Sequence, residues 1–256
     1  MLIEIFLLVI VCVLSYQINK KKIRKFFFKN NIKSCDIEEV DNAFSTFEKD
    51  KLFTPKKDTI INFFCIPPNF GVLGMTSDYE AWILSVLAKK SKRIFEFGTC
   101  SGKTTMLFAM NSSDQTLIDT ITLDEALANT YKHETNDNKI AQRNLLSESK
   151  YEKFLFSETP YEKKINVIFQ DSRQLDTSKL KEKFDLIFID GGHTYSCIKN
   201  DSEKSLEMIK ANGIILWHDF SIGKKSHKDV ARYLNELSTR YKIKHIKNTS
   251  LCFLKT

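Results

Sequence analysis

Arg93-Ile94-Phe95-Glu96-Phe97-Gly98-Thr99-Cys100-Ser101-Gly102-Lys103-Thr104 decides the fold. A short, mostly apolar run such as Arg93–Phe97 reads as a strand covered on both faces. It turns through Gly98 and Gly102 into a helical stretch, Lys103–Met110. Glycines let the backbone pass close to a ligand, and the next helix offers free N–H groups at its start. A parallel sheet binds its ligands at such carboxyl-edge turns.

Outward from this stretch, strands and helices alternate. Further strands are expected at Thr120–Leu123, Asn166–Phe169, Phe184–Ile189 and Gly213–Trp217, with helices at Lys139–Leu146 and Tyr195–Ile209. Such alternation predicts a parallel sheet with helices on both sides. Before it, Thr76-Ser77 opens a helix carrying Trp82, Ile83, Val86 and Leu87, and Pro67-Pro68 lies in an irregular connection. Ile37, Val40, Phe44 and Phe47 recur at helical spacing between Asp36 and Lys49. Ser226-x-x-Asp229 resembles a capping box, and Lys242–Ile246 with Ser250–Leu254 reads as a terminal antiparallel pair.

Three ligands compete for the Gly98–Gly102 loop. A dinucleotide loop needs a glycine two positions after Gly98, and none is there. The stronger rival is a phosphate loop, since Lys103-Thr104 follows and Asp190 ends a hydrophobic strand. Yet a phosphate loop has four residues between its glycines, and this one has three. The next strand decides. Asp124 stands at its tip, where an acid can accept hydrogen bonds from both ribose hydroxyls of an adenosine. The third strand ends in Gln170-Asp171-Ser172, polar groups within reach of an adenine. The expected adenosine cradle is therefore Glu96, Gly98, Thr99, Ser101, Gly102, Asp124, Asp171 and Ser172.

Composition sets the outer limits. Hydrophobic residues make up 42%, and eight glycines and four prolines are too few for a disordered chain. The net charge of +7 is local: seven basic residues lie between Gln17 and Lys33, leaving the chain after Lys33 near neutral. That argues against a broad nucleic-acid-binding face. The apolar run Leu2–Tyr16 just before them reads as a membrane anchor with a cytoplasmic body, its basic flank meeting anionic lipid. No positive charge precedes the run and no small-x-small site follows it, which argues against a cleaved signal. The six cysteines show no CxxC spacing and read as reduced thiols.

From about Thr76 to Thr256, the chain resembles class I S-adenosylmethionine-dependent methyltransferases of the small-molecule O-methyltransferase group, nearest the macrocin-type family 24. The likeness rests on Met75-Thr76-Ser77-x-x-Glu80, Phe95–Thr99, Phe184–Tyr195, Asp201 and Trp217-His218-Asp219-Phe220. It implies a Rossmann-like seven-stranded sheet ending in an antiparallel hairpin. The expected segments are 1–16 as anchor, 17–35 as basic juxtamembrane stretch, 36–75 as N-terminal helical or lid region, and 76–256 as the methyltransferase domain. The implied reaction is methylation of a hydroxyl on a small molecule or a sugar or glycan precursor. A homo-oligomer is compatible with the sequence.

Methyl transfer needs an aligned nucleophile and a base. Asp190 with His193, and His218 with Asp219, stand at the two strand ends that would face the sulfonium. An imidazole titrating near neutrality suits proton removal, which makes His193 the expected base. By resemblance, Asp190, His218 and Asp219 would hold a divalent metal. His218 departs from the acid found in several relatives and shifts preference from Mg²⁺ toward a transition ion. His133, His227 and His245 read as surface residues. Two alternatives stand beside this reading: a membrane-associated phosphate-loop NTPase, and a non-catalytic module that binds S-adenosylmethionine.

Overall fold

The computed structural model describes residues 10, 11, 13–16, 30–45, 56–66, 76–149 and 151–256. The strands are β1 Lys33–Cys35, β2 Arg93–Phe97, β3 Leu117–Thr122, β4 Ile165–Phe169, β5 Phe184–Ile189, β6 Ile209–Trp217, β7 Lys244–Ile246 and β8 Cys252–Lys255. The helices are α1 Asp78–Lys90, α2 Lys103–Asn111, α3 Glu125–Thr130, α4 Lys139–Glu148, α5 Tyr195–Met208 and α6 Lys228–Leu237. All strands form one sheet in the order β1-β7-β8-β6-β5-β2-β3-β4. Only β8 runs against its neighbours, so the expected antiparallel terminal hairpin is present.

The central strands are largely apolar on both sides because both sides are covered. Phe95, Phe97, Ile187, Ile189, Ile215 and Trp217 pack with Ile198 and Met208 of α5 and with Val230, Leu234 and Leu237 of α6. Ile94, Leu186, Phe188, Ile214 and Leu216 face the other way, onto α1 and α2. Successive strand residues point to opposite faces, so two helical layers need runs like Leu186–Ile189 rather than alternation. The switch point falls at β2, with β5 on one side and β3 on the other. This aims the β2–α2 loop into the crevice at the carboxyl edge.

Several expectations are corrected. The sheet has eight strands, not seven, because Lys33–Cys35 pairs in parallel with β7. No single helix covers Asp36–Phe44. Short 3-10 turns form at Ile37–Glu39 and Asn42–Phe44, because extended Asp41 (φ −156°) caps the second of them through Ala43 N–H. Residues 46–55 and 67–75, including Pro67-Pro68, lie outside the described residues. The strand expected from Gly213 begins four residues earlier, at Ile209. The chain is already extended from Ile209, and the β5–β6 register slips between Phe184 and Leu186 to absorb the extra residues.

The anchored localisation is also overturned. No helix among the described residues is long and apolar enough to cross a membrane. Much of Leu2–Tyr16 and all of residues 17–29 lie outside the described residues. Length supplies the reason: the fifteen residues of Leu2–Tyr16 would rise only about 22 Å as a helix, against the ~30 Å of a hydrocarbon core.

Helix starts near the site are fixed by side chains. Ser77 and Glu80 form a reciprocal capping box at α1. The box expected at Ser226 and Asp229 is absent. Buried Asp229 instead accepts from Asn138 N (3.0 Å) and Tyr195 N (3.2 Å), tying the starts of α4 and α5 to α6. Asp229→Ala strands two backbone donors and is expected to cost about 1–3 kcal/mol, read as a lower thermal midpoint. An unchanged midpoint would show that the tie contributes nothing.

Candidate functional site

The cleft at the carboxyl edge is lined by Gly98, Cys100, Ile121–Leu123, Tyr131, Leu145, Glu148, Gln170–Ser172, Asp190–Gly192, Cys197 and Asp201, around roughly 530 Å³ that opens to solvent. Gly98 is essential to its shape. Its φ is +97°, and a Cβ there would lie 2.3 Å from the Asp190 carbonyl oxygen. Gly102 (φ +80°) opens α2 against the edge of the Phe156 ring.

The expected cradle divides into lining and support. Gly98, Asp171 and Ser172 face the cleft. Thr99 and Ser101 are buried, and the Thr99 hydroxyl, meeting that of Thr120 at 2.7 Å, braces the loop from behind. Asp171 is gripped by Arg173, whose guanidinium lies 4.2 Å from the centre of the Tyr131 ring. Asp124 sits beside the cleft rather than in it. Its Oδ1 caps α3 by accepting from Leu127 N (2.7 Å), and it lines an adjoining hollow with Tyr151 and Phe169. Tyr131, Glu148 and Cys197 were not foreseen; they come from helical and loop stretches without a readable motif.

Glu96 lies beneath the loop, 1% exposed, accepting from the Thr105 and Thr120 hydroxyls through Oε2. Its Oε1 is buried without a hydrogen-bond partner among the described residues. Burial pushes the carboxyl up to about 8 from its ordinary 4.5, although both threonines pull it down. The folded state thus holds this proton more tightly than the unfolded chain. The stability that it contributes is complete below about pH 4.5 and is lost as pH rises through about 8. Glu96→Gln is expected to flatten the melting-temperature profile across that window. An equally steep profile in the variant would assign the slope to other groups.

One feature counts against a phosphate here. Lys103 Nζ donates to the Thr76 carbonyl (3.0 Å), so this lysine is committed away from the loop.

At the ends of β5 and β6 the cleft meets an acid–histidine cluster. Asp190 N donates to Phe97 O, and His218 N donates to Ile189 O, which continues the ladder and sets the two strand ends side by side. Asp219 then takes a left-handed conformation (φ +60°), uncommon for a residue with a side chain. His218 Nδ1 lies 2.9 Å from Asp190 Oδ1 and 3.8 Å from Asp219 Oδ2. His193 Nε2 lies 3.1 Å from Asp219 Oδ2 and 3.7 Å from Asp190 Oδ1. Behind them, His218 Nε2 is 3.5 Å from Glu80 Oε2, while Glu80 Oε1 accepts from the N–H and hydroxyl of Ser250. Asp190, His218 and Asp219 each bring one donor atom within 4.8 Å of the others.

Charge in this cluster is mutually supported. Burial works against the charged forms of Asp190, His193 and His218. The contacts outweigh it: Asp190 is held well below the carboxylate range by His218 and His193, and both histidines are raised by the acids around them. Burial pushes Glu148 up and takes Asp201 up to about 6, so the cleft also holds two weakened acids.

His227 corrects the sequence reading. It is buried rather than on the surface, with Nδ1 3.2 Å from Asp219 Oδ1. His133 and His245 are half-buried, His133 against Tyr131 and His245 beside Ser34.

Residues 95–220 match the family model described as a methyltransferase domain. Among solved structures, a Staphylococcus aureus protein assigned as a caffeoyl-CoA O-methyltransferase is similar, with 19% identity, a TM-score of 0.51, and coverage of 72% of this chain and 86% of its own. A methyltransferase from Podospora anserina, bound to S-adenosylhomocysteine, matches at 16% identity with a TM-score of 0.51, covering 71% and 79%. At these identities the structures speak for the fold. No curated protein matches the sequence. The matched segment begins on the strand that feeds the glycine loop and ends just past the acid–histidine cluster, so the chain carries a methyltransferase domain and is an S-adenosylmethionine-dependent methyltransferase.

Proposed function

We propose that the protein methylates a hydroxyl of a small molecule or of a sugar or glycan precursor. One observation carries this reading. Asp190 lines the cofactor cleft and also belongs to the acid–histidine cluster, so acceptor and methyl donor would meet there. S-adenosylmethionine supplies an electrophilic methyl carbon on a sulfonium. The acceptor oxygen forms the new C–O bond as the C–S bond breaks, leaving neutral S-adenosylhomocysteine. The hydroxyl proton passes to His193 Nε2, which Asp219 and Asp190 orient. At the other end of the cleft, Asp171 and Ser172 serve the adenine. Asp124 serves the ribose through Oδ2, since Oδ1 belongs to the α3 cap.

Asp190, His218 and Asp219 also fit a divalent ion. Their donors converge, and Glu80 stands at the far nitrogen of His218 as an outer carboxylate does behind a metal-binding imidazole. An ion there would act as a Lewis acid on the acceptor oxygen. A chelator is expected to lower methyl transfer at least tenfold without changing S-adenosylhomocysteine binding, with an outer-shell loss of about 10- to 100-fold as the scale. Undiminished turnover in the chelator would remove the ion from the account. For the ribose assignment, Asp124→Ala should weaken S-adenosylmethionine binding; undiminished binding would reject it.

A further inference from the structure

The acid–histidine cluster contains more donors than the proposed reaction uses. Asp219 turns Oδ1 toward His227 Nδ1 (3.2 Å), while Oδ2, which also faces His218, lies 3.1 Å from His193 Nε2. One donor atom from each of His193, Asp219 and His227 lies within 4.8 Å of the other two. The rings of His193 and His227 are 5.4 Å apart between centres. These residues are held in place, not merely adjacent. His193 and His227 are 8% and 5% exposed, and Asp219 is fixed by its left-handed backbone and by Ser250.

A second observation points to a ligand. His193 Nε2, aimed into this group, is buried and has no hydrogen-bond partner among the described residues, despite the nearby carboxylate. Leaving a buried polar nitrogen unpaired is costly, and a bound group would relieve it. The donor set selects that group. Two imidazoles and one carboxylate with open positions suit Zn²⁺, Co²⁺ or Fe²⁺, whereas Mg²⁺ prefers an all-oxygen shell.

We propose that His193, Asp219 and His227 form a second, transition-metal site, and that filling it switches methyl transfer off by occupying the nitrogen that takes the acceptor's proton. The ion binds both imidazoles in their neutral form, and no bond or oxidation state changes. The inhibitory half rests on His193 being the base, as proposed above; the binding half does not. Asp219 belongs to both ion positions, with Oδ2 facing His218 as well as His193 and Oδ1 facing His227. An excess of a soft divalent ion would then oppose whatever the Asp190–His218 side promotes.

The test titrates chelator-treated full-length protein with Co²⁺, following the visible absorption of imidazole-bound cobalt, and measures inhibition of methyl transfer by Zn²⁺. His227→Ala should weaken the cobalt signal's affinity at least as much as the roughly 10- to 100-fold that an outer-shell loss costs. It should raise by a similar factor the zinc concentration that halves the variant's own zinc-free rate. His227→Gln, closer in size, should behave the same, with melting curves confirming that both variants fold. Cobalt affinity and zinc sensitivity that ignore both substitutions would overturn the site. Cobalt binding that depends on His227 while zinc fails to inhibit would overturn the switch. A protein with the His227-dependent cobalt signal but no methyl transfer to any hydroxyl acceptor would instead count against the proposed function.

Discussion

Replacing Gly98 with alanine is expected to abolish S-adenosylmethionine binding and to destabilise the fold by about 2–5 kcal/mol, the sum of a left-handed backbone cost and core overpacking. The backbone argument is direct. At φ +97°, an added Cβ would come within 2.3 Å of Asp190 O and 2.7 Å of Gly191 Cα. Backbone atoms cannot swing aside as a flexible side chain does. Both strands are also tied at this point, through Gly98 N to Ile121 O and through Asp190 N to Phe97 O. Relief would have to come from the loop lifting into the cleft, the space the cofactor needs. Gly191 gives the control: a Cβ there first meets Asp201 Oδ2 at 3.3 Å, so Gly191→Ala should be the milder change. Calorimetric titration with S-adenosylhomocysteine and thermal melting read both effects. Wild-type affinity in Gly98→Ala would mean that the loop does not approach the cofactor.

The second large effect is catalytic. His193→Ala is expected to lower kcat by about 10²–10⁴, the usual contribution of a positioned base, while leaving S-adenosylmethionine affinity nearly unchanged. The separation follows from placement. His193 contacts Asp190 and Asp219 at the ends of β5 and β6, whereas the glycine loop leaves β2. A kcat within a few-fold of wild type would remove His193 as base and pass the proton to another group, with Glu148, a weakened acid of the cleft that interacts electrostatically with His193, the candidate.

The sequence showed the fold most clearly where a local pattern and its tertiary role coincide. The run Leu186–Ile189 is apolar throughout because helices lie on both faces of β5, and that is visible without a structure. Asp190, His193, His218 and Asp219 were readable because they follow such runs directly. His227 was hidden. Lys224-Lys225-Ser226-His227-Lys228 looks like a solvated turn, and only the packing of the α6 start against Asp219 buries its histidine. Asp229 misled in a related way: its spacing from Ser226 suits a cap, but two unpaired N–H groups on α4 and α5 claimed the carboxylate. Over residues 36–45 the helical periodicity failed because Asp41 stops the helix that Val40 and Phe44 imply, although both apolar side chains are still buried. The anchor expectation weighed hydropathy and flanking charge over length, and length decides what can span a membrane.

The proposed reaction requires the Gly98–Gly102 loop to cradle an adenosyl sulfonium rather than a phosphate. Calorimetric titration of the purified protein with S-adenosylhomocysteine and, separately, with Mg²⁺-ATP tests it most directly. Saturable one-to-one binding of S-adenosylhomocysteine is expected, lost in Gly98→Ala, with no heat from Mg²⁺-ATP. Binding of Mg²⁺-ATP that disappears in Lys103→Ala, with none for S-adenosylhomocysteine, would contradict it.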